Sequence, residues 1–257
     1  MLTCSISILW AQKQGNLECE YEDAFAQSPT GHVVEAPCVT LAVSDGATES
    51  SFASVWAKQL TRSFCADPFL TLEQAQERAG LLADRWNDIV YRKPLPWYAE
   101  EKARQGAFAT FFGLALYPGN DRKPSGGTWQ ATAMGDSCIF HVRQGELLLA
   151  VPINDSDDFD NAPALIASIP SRNQDAWQNL VLLSGEWLAG DRFILATDAL
   201  AAWFLKEAEK GHSPWDELAR FCSFPQEQAE FSQWAADQRR RGTMRNDDLT
   251  FIQVTMS

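Results

Sequence analysis

Five short stretches place acidic side chains where the chain changes direction. Val43-Ser44-Asp45-Gly46 ends an apolar run of Val39, Leu41, Ala42 and Val43, and a helical stripe of Phe52, Trp56, Leu60 and Phe64 follows. Glu22-Asp23 sits inside an extended segment. Gly135-Asp136-Ser137 follows another apolar run, Asp198 ends the run 191–197, and Asp247-Asp248 opens the last one. A carboxylate at the end of a buried strand is costly unless it is paired or binds a cation. Oxygen-rich ends of this kind suit Mg²⁺ or Mn²⁺, which take carboxylate, carbonyl and water ligands. Two such ions about 3.5–4 Å apart can share one carboxylate, acidify a water and clamp a phosphoryl oxygen. Gly46 fits because its carbonyl, carrying no side chain, can approach a metal closely. One Asp-Gly pair is an ordinary turn signal; the weight lies in the set.

The elements that must position these acids follow from pattern. Residues 3–11 alternate as a strand, and Gly15-Asn16 suggests a hairpin into an extended segment at 19–27. Residues 38–44 form the strand that ends at Asp45. Ser50 or Ser51 is placed to cap a helix over 51–66. Thr71-Leu-Glu-Gln74 resembles a capping box and opens a second helix to residue 91, which Pro94 and Pro96 end. A short helix over 98–105 precedes strands over 107–117 and 128–134. A hairpin over 138–143 and 146–151 turns at Gln144-Gly145. Residues 152–163 hold Asn154, Asp155, Asp157, Asp158 and Asp160 between two prolines; without EF-hand spacing they read as a solvated loop. Strands over 179–184 and 191–197, helices over 199–210, 214–222 and 226–240, and a strand over 247–254 complete the chain. Arg239-Arg240-Arg241 reads as a charged helix end. No repeat or low-complexity linker divides the sequence. Residues 1–257 therefore read as one domain, with a helical insertion over about 199–246.

A hydrophobic content of 46% with 21% charged residues is that of a soluble globular protein. The formal charge of −13 argues against nucleic acid or an anionic membrane as main partner, since both are bound through Lys/Arg patches. The six cysteines are scattered without a C-x-x-C, which suits buried free thiols in a reducing cytoplasm. No apolar run reaches the roughly 18 residues of a membrane span, and the N-terminus lacks a basic signal-peptide region.

Taken in order, Glu22-Asp23-Ala-Phe, Val-Ser-Asp45-Gly46, Gly135-Asp136-Ser137, Asp191-Arg-Phe-Ile-Leu-Ala-Thr197-Asp198 and Asn246-Asp247-Asp248-Leu-Thr-Phe-Ile resemble the motifs of the metal-dependent protein phosphatases of the 2C type. The likeness covers nearly the whole chain. It implies an α+β fold, a four-layer αββα sandwich of two mainly antiparallel sheets flanked by helices. It implies Mn²⁺ or Mg²⁺ as cofactor: two ions, with room for a third. Asp45 would bridge the two metals, the carbonyl of Gly46 would join one, and Asp198 and Asp247 would bind the other. Glu22 would reach its metal through water with Asp23 in support, and Asp136 matches the ligand of the third site. The implied reaction is hydrolysis of phosphoserine or phosphothreonine in proteins by a metal-bridging hydroxide. The implied partner is a phosphorylated protein, and the protein itself is expected to be a monomer.

Three positions depart from that pattern. Glu18 stands where many members carry a phosphate-gripping Arg, which leaves Lys13 or Arg62 as candidate substitutes. Ala47-Thr48-Glu49 replaces a Gly-rich or His-containing stretch, and Ala199 replaces the Gly of Thr-Asp-Gly. Two other readings stay open: a phosphatase-fold binding or regulatory protein without turnover, and a hydrolase of small phosphoesters.

Overall fold

Alternation along the strands builds the layers. In the computed structural model, residues 1–48, 50, 52–119, 126–159, 162–222 and 228–257 are described. Glu49, Ser51, Asp160 and residues 226–227 of the expected last helix lie outside the described residues. The first half runs β1 (Leu2–Ala11), β2 (Ala24–Ser28), β3 (Val33–Ala36), β4 (Val39–Ser44), α1 (Ala53–Ala66), α2 (Leu72–Val90) and α3 (Trp97–Gln105). Strands β5 (Phe108–Ala109), β6 (Phe111–Pro118), β7 (Gly126–Met134), β8 (Cys138–Arg143), β9 (Glu146–Val151), β10 (Ile166–Ala167), β11 (Val181–Leu188) and β12 (Arg192–Ala196) follow. The chain ends with α4 (Asp198–Glu209), α5 (Pro214–Ala219), α6 (Gln228–Arg240) and β13 (Leu249–Met256).

Two antiparallel sheets result, in the orders β3-β1-β13-β12-β8-β9 and β11-β7-β6-β4-β2, with β5 and β10 as a short extra pair. Because strand side chains alternate between faces, Phe193, Leu195, Ile252 and Val254 meet Leu41, Val43, Phe112 and Leu114 in a core between the sheets. The opposite faces of the same strands pack against helices. Ile194, Ala196 and Phe251 lie with Phe204, Trp215 and Phe231 of α4–α6. Ala42, Phe111 and Ala115 lie with Trp56, Leu60, Phe64 and Leu82 of α1 and α2. Helices, sheet, sheet, helices: this is the expected αββα sandwich.

Register brings the acidic stretches to one edge. In the first sheet Cys138, Ala196 and Phe251 stand in one row. Asp136 just precedes that row, Asp198 just follows it, and Asp247 just precedes β13. In the second sheet Ala24 pairs with Ser44, Val43 with Phe112, and Phe111 with Met134. That places Asp23, Asp45 and Gly135 at the matching edge. Strand β4 packs on β12 and β13 across the inter-sheet core, so the two rows of acids face each other.

Local expectations are corrected in places. The turn at Gln14-Gly15 makes no hairpin: β1 pairs with β13 and β3, whereas β2 pairs with β4 in the other sheet. The segment expected to be extended from residue 19 begins as a short helical turn at Glu18–Glu20. Ser50 does not cap α1. Its hydroxyl donates to the Ala47 carbonyl at 2.9 Å, and Phe52 precedes the helix in a left-handed conformation, φ 65°. Thr71 does cap α2, accepting from the Gln74 N–H at 3.2 Å. All six cysteines are free. Among the described residues, no helix is long and apolar enough to cross a membrane.

Candidate metal centre

A cleft of about 380 Å³ opens at this edge. Asp45, Asp136, Asp198 and Asp247 line it, joined by Thr110 and Arg245. Asp23 lies beneath, only 1% exposed. Glu22 lines an adjoining cleft that shares Thr48 with the first. Every acid expected at the site is therefore at this edge, in two clefts and their floor.

Threonines at the strand ends hold the acids in place. The Asp23 Oδ2 accepts the hydroxyls of Thr197 and Thr250, each at 2.8 Å. The Thr110 hydroxyl accepts the Asp45 N–H at 3.1 Å and lies 2.7 Å from the Ser137 hydroxyl, joining the Asp45 turn to the Asp136 turn. Gly46 sits in a bridge with Ala109. A Cβ there would lie 2.9 Å from the Glu22 carbonyl oxygen and 2.9 Å from the Ala53 Cβ. Only glycine lets this backbone run so close to Glu22. Asp198 begins α4, and its Oδ1 accepts the Ala199 N–H at 2.6 Å. Ala199 is helical and buried, so the alanine fits without strain.

The acids repel one another. Burial first, then the charges of Asp23, Asp198, Asp136 and Asp247, raise the Asp45 carboxyl well above the usual carboxylate range. Burial and Asp248 raise Asp23 in the same way. Asp198 is pushed up to about 6 by burial and Asp247. Burial also raises Glu22, against a hydrogen bond from Thr48. The far end of β12 shows the contrast. Asp191 is wholly buried, yet Arg143 grips it with two hydrogen bonds of 2.7 Å and His141 Nε2 stands 2.8 Å away. Burial raises that carboxyl, but Arg143 and the Leu188 N–H bring it below its ordinary value. One strand thus carries a neutralised acid at its start and an under-neutralised cluster beyond its end.

That cluster fits a divalent cation. The Asp23 Oδ1 is buried without a hydrogen-bond partner among the described residues, and a buried carboxylate oxygen left unmet is expensive. Among the described residues no three His, Cys, Asp or Glu side chains form a ready-made cage. Mg²⁺ and Mn²⁺ need none, since they keep several waters and use few protein ligands.

Cations near the cluster are unequal. Arg245 lines the cleft, with Nη1 3.6 Å from Asp198 Oδ2 and Nη2 donating to the Phe159 carbonyl at 3.0 Å. Lys13 Nζ stands 3.5 Å from Asp247 Oδ1 but is not among the cleft's lining residues. Arg62 is elsewhere, in a cleft between α1 and α2. Glu18 is exposed on its helical turn. Arg239 points inward rather than out as a charged helix end: it donates to the carbonyls of Gln12 at 2.9 Å and Asp247 at 2.5 Å. Asp248 reaches across the fold and accepts the backbone N–H of Lys13 and of Glu22, each at 2.7 Å. Arg245 and Thr110 are the site residues that sequence reasoning missed, while Asp248 and Arg239 were singled out for their charge but not for these contacts. For Arg245 the only signal was its nearness in sequence to Asp247.

The family model described as protein phosphatase 2C matches residues 16–240. No curated protein sequence matches. Among solved structures, the chain is similar to the Mycobacterium tuberculosis serine/threonine phosphatase PstP/Ppp, with 14% identity, 100% of both chains covered and a TM-score of 0.59. The catalytic domain of serine/threonine protein phosphatase PstP in complex with two manganese ions is similar at 17% identity, covering 100% of this chain and 99% of that one, TM-score 0.57. RsbX in complex with magnesium is similar at 15% identity, covering 99% and 96%, TM-score 0.52.

Proposed function

The chain belongs to the protein phosphatase 2C family, and from that premise we propose that it is a metal-dependent protein phosphatase acting on phosphoserine and phosphothreonine. The observation that carries this reading is the cleft lined by Asp45, Asp136, Asp198 and Asp247 over an unmet buried oxygen of Asp23. Asp45 would bridge two ions of Mn²⁺ or Mg²⁺, helped by the Gly46 carbonyl, with Asp198 and Asp247 on one of them. Glu22 would act through water, Asp23 from beneath, and Asp136 at a third site. Bound there, the ions would supply Lewis acidity, lowering the pKa of a water for attack on phosphorus.

The remaining task falls to the chain's own cations. A phosphate dianion entering an acidic cleft needs a counter-charge, and Arg245 is the one cation among the described residues that line it. Its planar fork can present two donors to phosphate oxygens. Arg245 therefore takes the part that Lys13 or Arg62 was expected to fill. The Phe159 carbonyl steadies its guanidinium at the rim.

The test is turnover of an aryl phosphate with Mn²⁺, with EDTA and in Asp45→Asn. Metal-dependent turnover that is lost in the variant supports the enzyme. A folded, Mn²⁺-loaded protein without turnover on aryl phosphate or phosphopeptides would instead be a binding module. Turnover of aryl phosphate with no phosphopeptide hydrolysed would make it a small-phosphoester hydrolase.

A further inference from the structure

A second cleft, about 550 Å³, lies on the outer helical layer between α1 and α2. We propose that it docks an acidic peptide segment of a partner protein. On α2 its lining residues Arg78, Leu82, Arg85 and Ile89 recur at spacings that put them on one helix face. On α1, Gln59 and Arg62 face them.

Charge is the first reason. The chain carries −13, yet three arginines gather here against one lining acid, Asp88. Arg78 is committed, paired with Asp67 and donating to the Ser63 hydroxyl at 3.0 Å. Arg62 and Arg85 are exposed, one on each helix. They give a carboxylate a local attraction that the rest of the acidic surface denies it. The floor is apolar: Leu82 is buried, while Ile89 at the rim is 51% exposed.

Gln59 is the second, independent reason. Its Nε2 and Oε1 are both buried and both lack a hydrogen-bond partner among the described residues. A primary amide with a donor and an acceptor both unmet is the complement of a peptide unit, which offers one C=O and one N–H. A small inorganic anion would engage the arginines but leave the amide acceptor and the apolar floor unused. A peptide with acidic and apolar side chains meets all three. The cleft's volume is also that of an ordinary ligand site. None of its lining residues belongs to the acid cluster, so docking here leaves the metal centre open.

The test uses the full chain loaded with Mn²⁺ and a short fluorescent peptide of alternating Glu and Leu, with a Gln/Leu peptide as its neutral counterpart. Fluorescence anisotropy should show saturable binding of the acidic peptide, about tenfold tighter than the neutral one and weakened by salt. The double variant Arg62→Glu, Arg85→Glu should lose that difference while keeping its melting temperature and aryl phosphate turnover. Gln59→Leu should weaken both peptides together, because it removes a backbone contact. Equal binding of the two peptides overturns the proposal, as does acidic-peptide binding that survives the double variant. Displacement of the peptide by equimolar inorganic phosphate would also overturn it, in favour of a small-anion site. If charge reversal disturbs folding, Arg62→Gln with Arg85→Gln answers the same question.

Discussion

The Asp248 carboxylate accepts the backbone N–H of Glu22 on Oδ2 at 2.7 Å, across 226 positions of sequence. Its other oxygen accepts the N–H of Lys13 at the same distance. One side chain thus fastens the segment that carries Glu22 and Asp23 to the turn that carries Asp247. The two ends of the described chain are tied together at the acid cluster.

Asp248→Asn should loosen this junction. The amide keeps one acceptor and turns an NH₂ group toward a backbone N–H, so one buried donor goes unmet at a cost of about 1–3 kcal/mol. For a chain of this length that lowers the melting temperature by several degrees. Calorimetry checks the stability. Mn²⁺ titration should show weaker binding as well; unchanged affinity in a destabilised variant would separate the fastening from the site.

Metal-free protein should grow more stable as pH falls from about 6 toward 4. Asp198 is raised to about 6 in the fold, and Asp23, Asp45, Glu22 and Asp248 are also raised. Below these folded values and above the unfolded carboxylate range, the native state holds more protons than the unfolded chain, so stability rises with acidity. His141 opposes this between its burial-lowered value and the ordinary imidazole range, but it is one group against five. Asp191, held below its ordinary value, acts in the opposite sense only at lower pH. With saturating Mn²⁺ the slope should reverse, since protons then compete with metal. Melting temperatures at pH 4.5 and 6.5, with EDTA and with Mn²⁺, test it; parallel slopes would remove the electrostatic case for the metal centre.

Arg245→Ala should raise KM for aryl phosphate by roughly tenfold or more, the worth of a charge-assisted hydrogen bond. Inorganic phosphate should bind the Mn²⁺-loaded variant more weakly by a similar factor, measured by calorimetry. Arg245→Lys restores charge but not the fork and should recover only part of the loss. An unchanged KM with lowered kcat would assign Arg245 to the geometry of Asp198 instead.

Much of this was legible in the sequence, for a physical reason. Buried strands announce themselves by apolar runs, and a carboxylate ending such a run is conspicuous: Asp45, Asp136 and Asp198 were visible one at a time. What the sequence hid was pairing at long range. Strand β1 pairs with β13, Ala11 opposite Leu249, and the Gln14-Gly15 turn gives no hint of that partner. The four residues of β3 were missed because alternating exposure at Val33 and Glu35 leaves little apolar signal. Arg245 and Arg62 look alike in sequence. Only the packing of α1 against α2 sends Arg62 away from the acids, and only the turn before β13 brings Arg245 to them.

Strand β13 lies between β1 and β12 in its sheet, although it follows both in chain order and so leaves the ribosome after them. Until it arrives, the nascent protein holds two unsatisfied strand edges on either side of an empty slot, and such edges invite other chains. The turn leading into that strand also supplies Asp247 and Asp248. Completion of the acid cluster and relief from the aggregation hazard therefore come in a single event, the insertion of one strand. A product cut short before that strand would have neither, and quality control would meet it as a sticky fragment with open sheet edges.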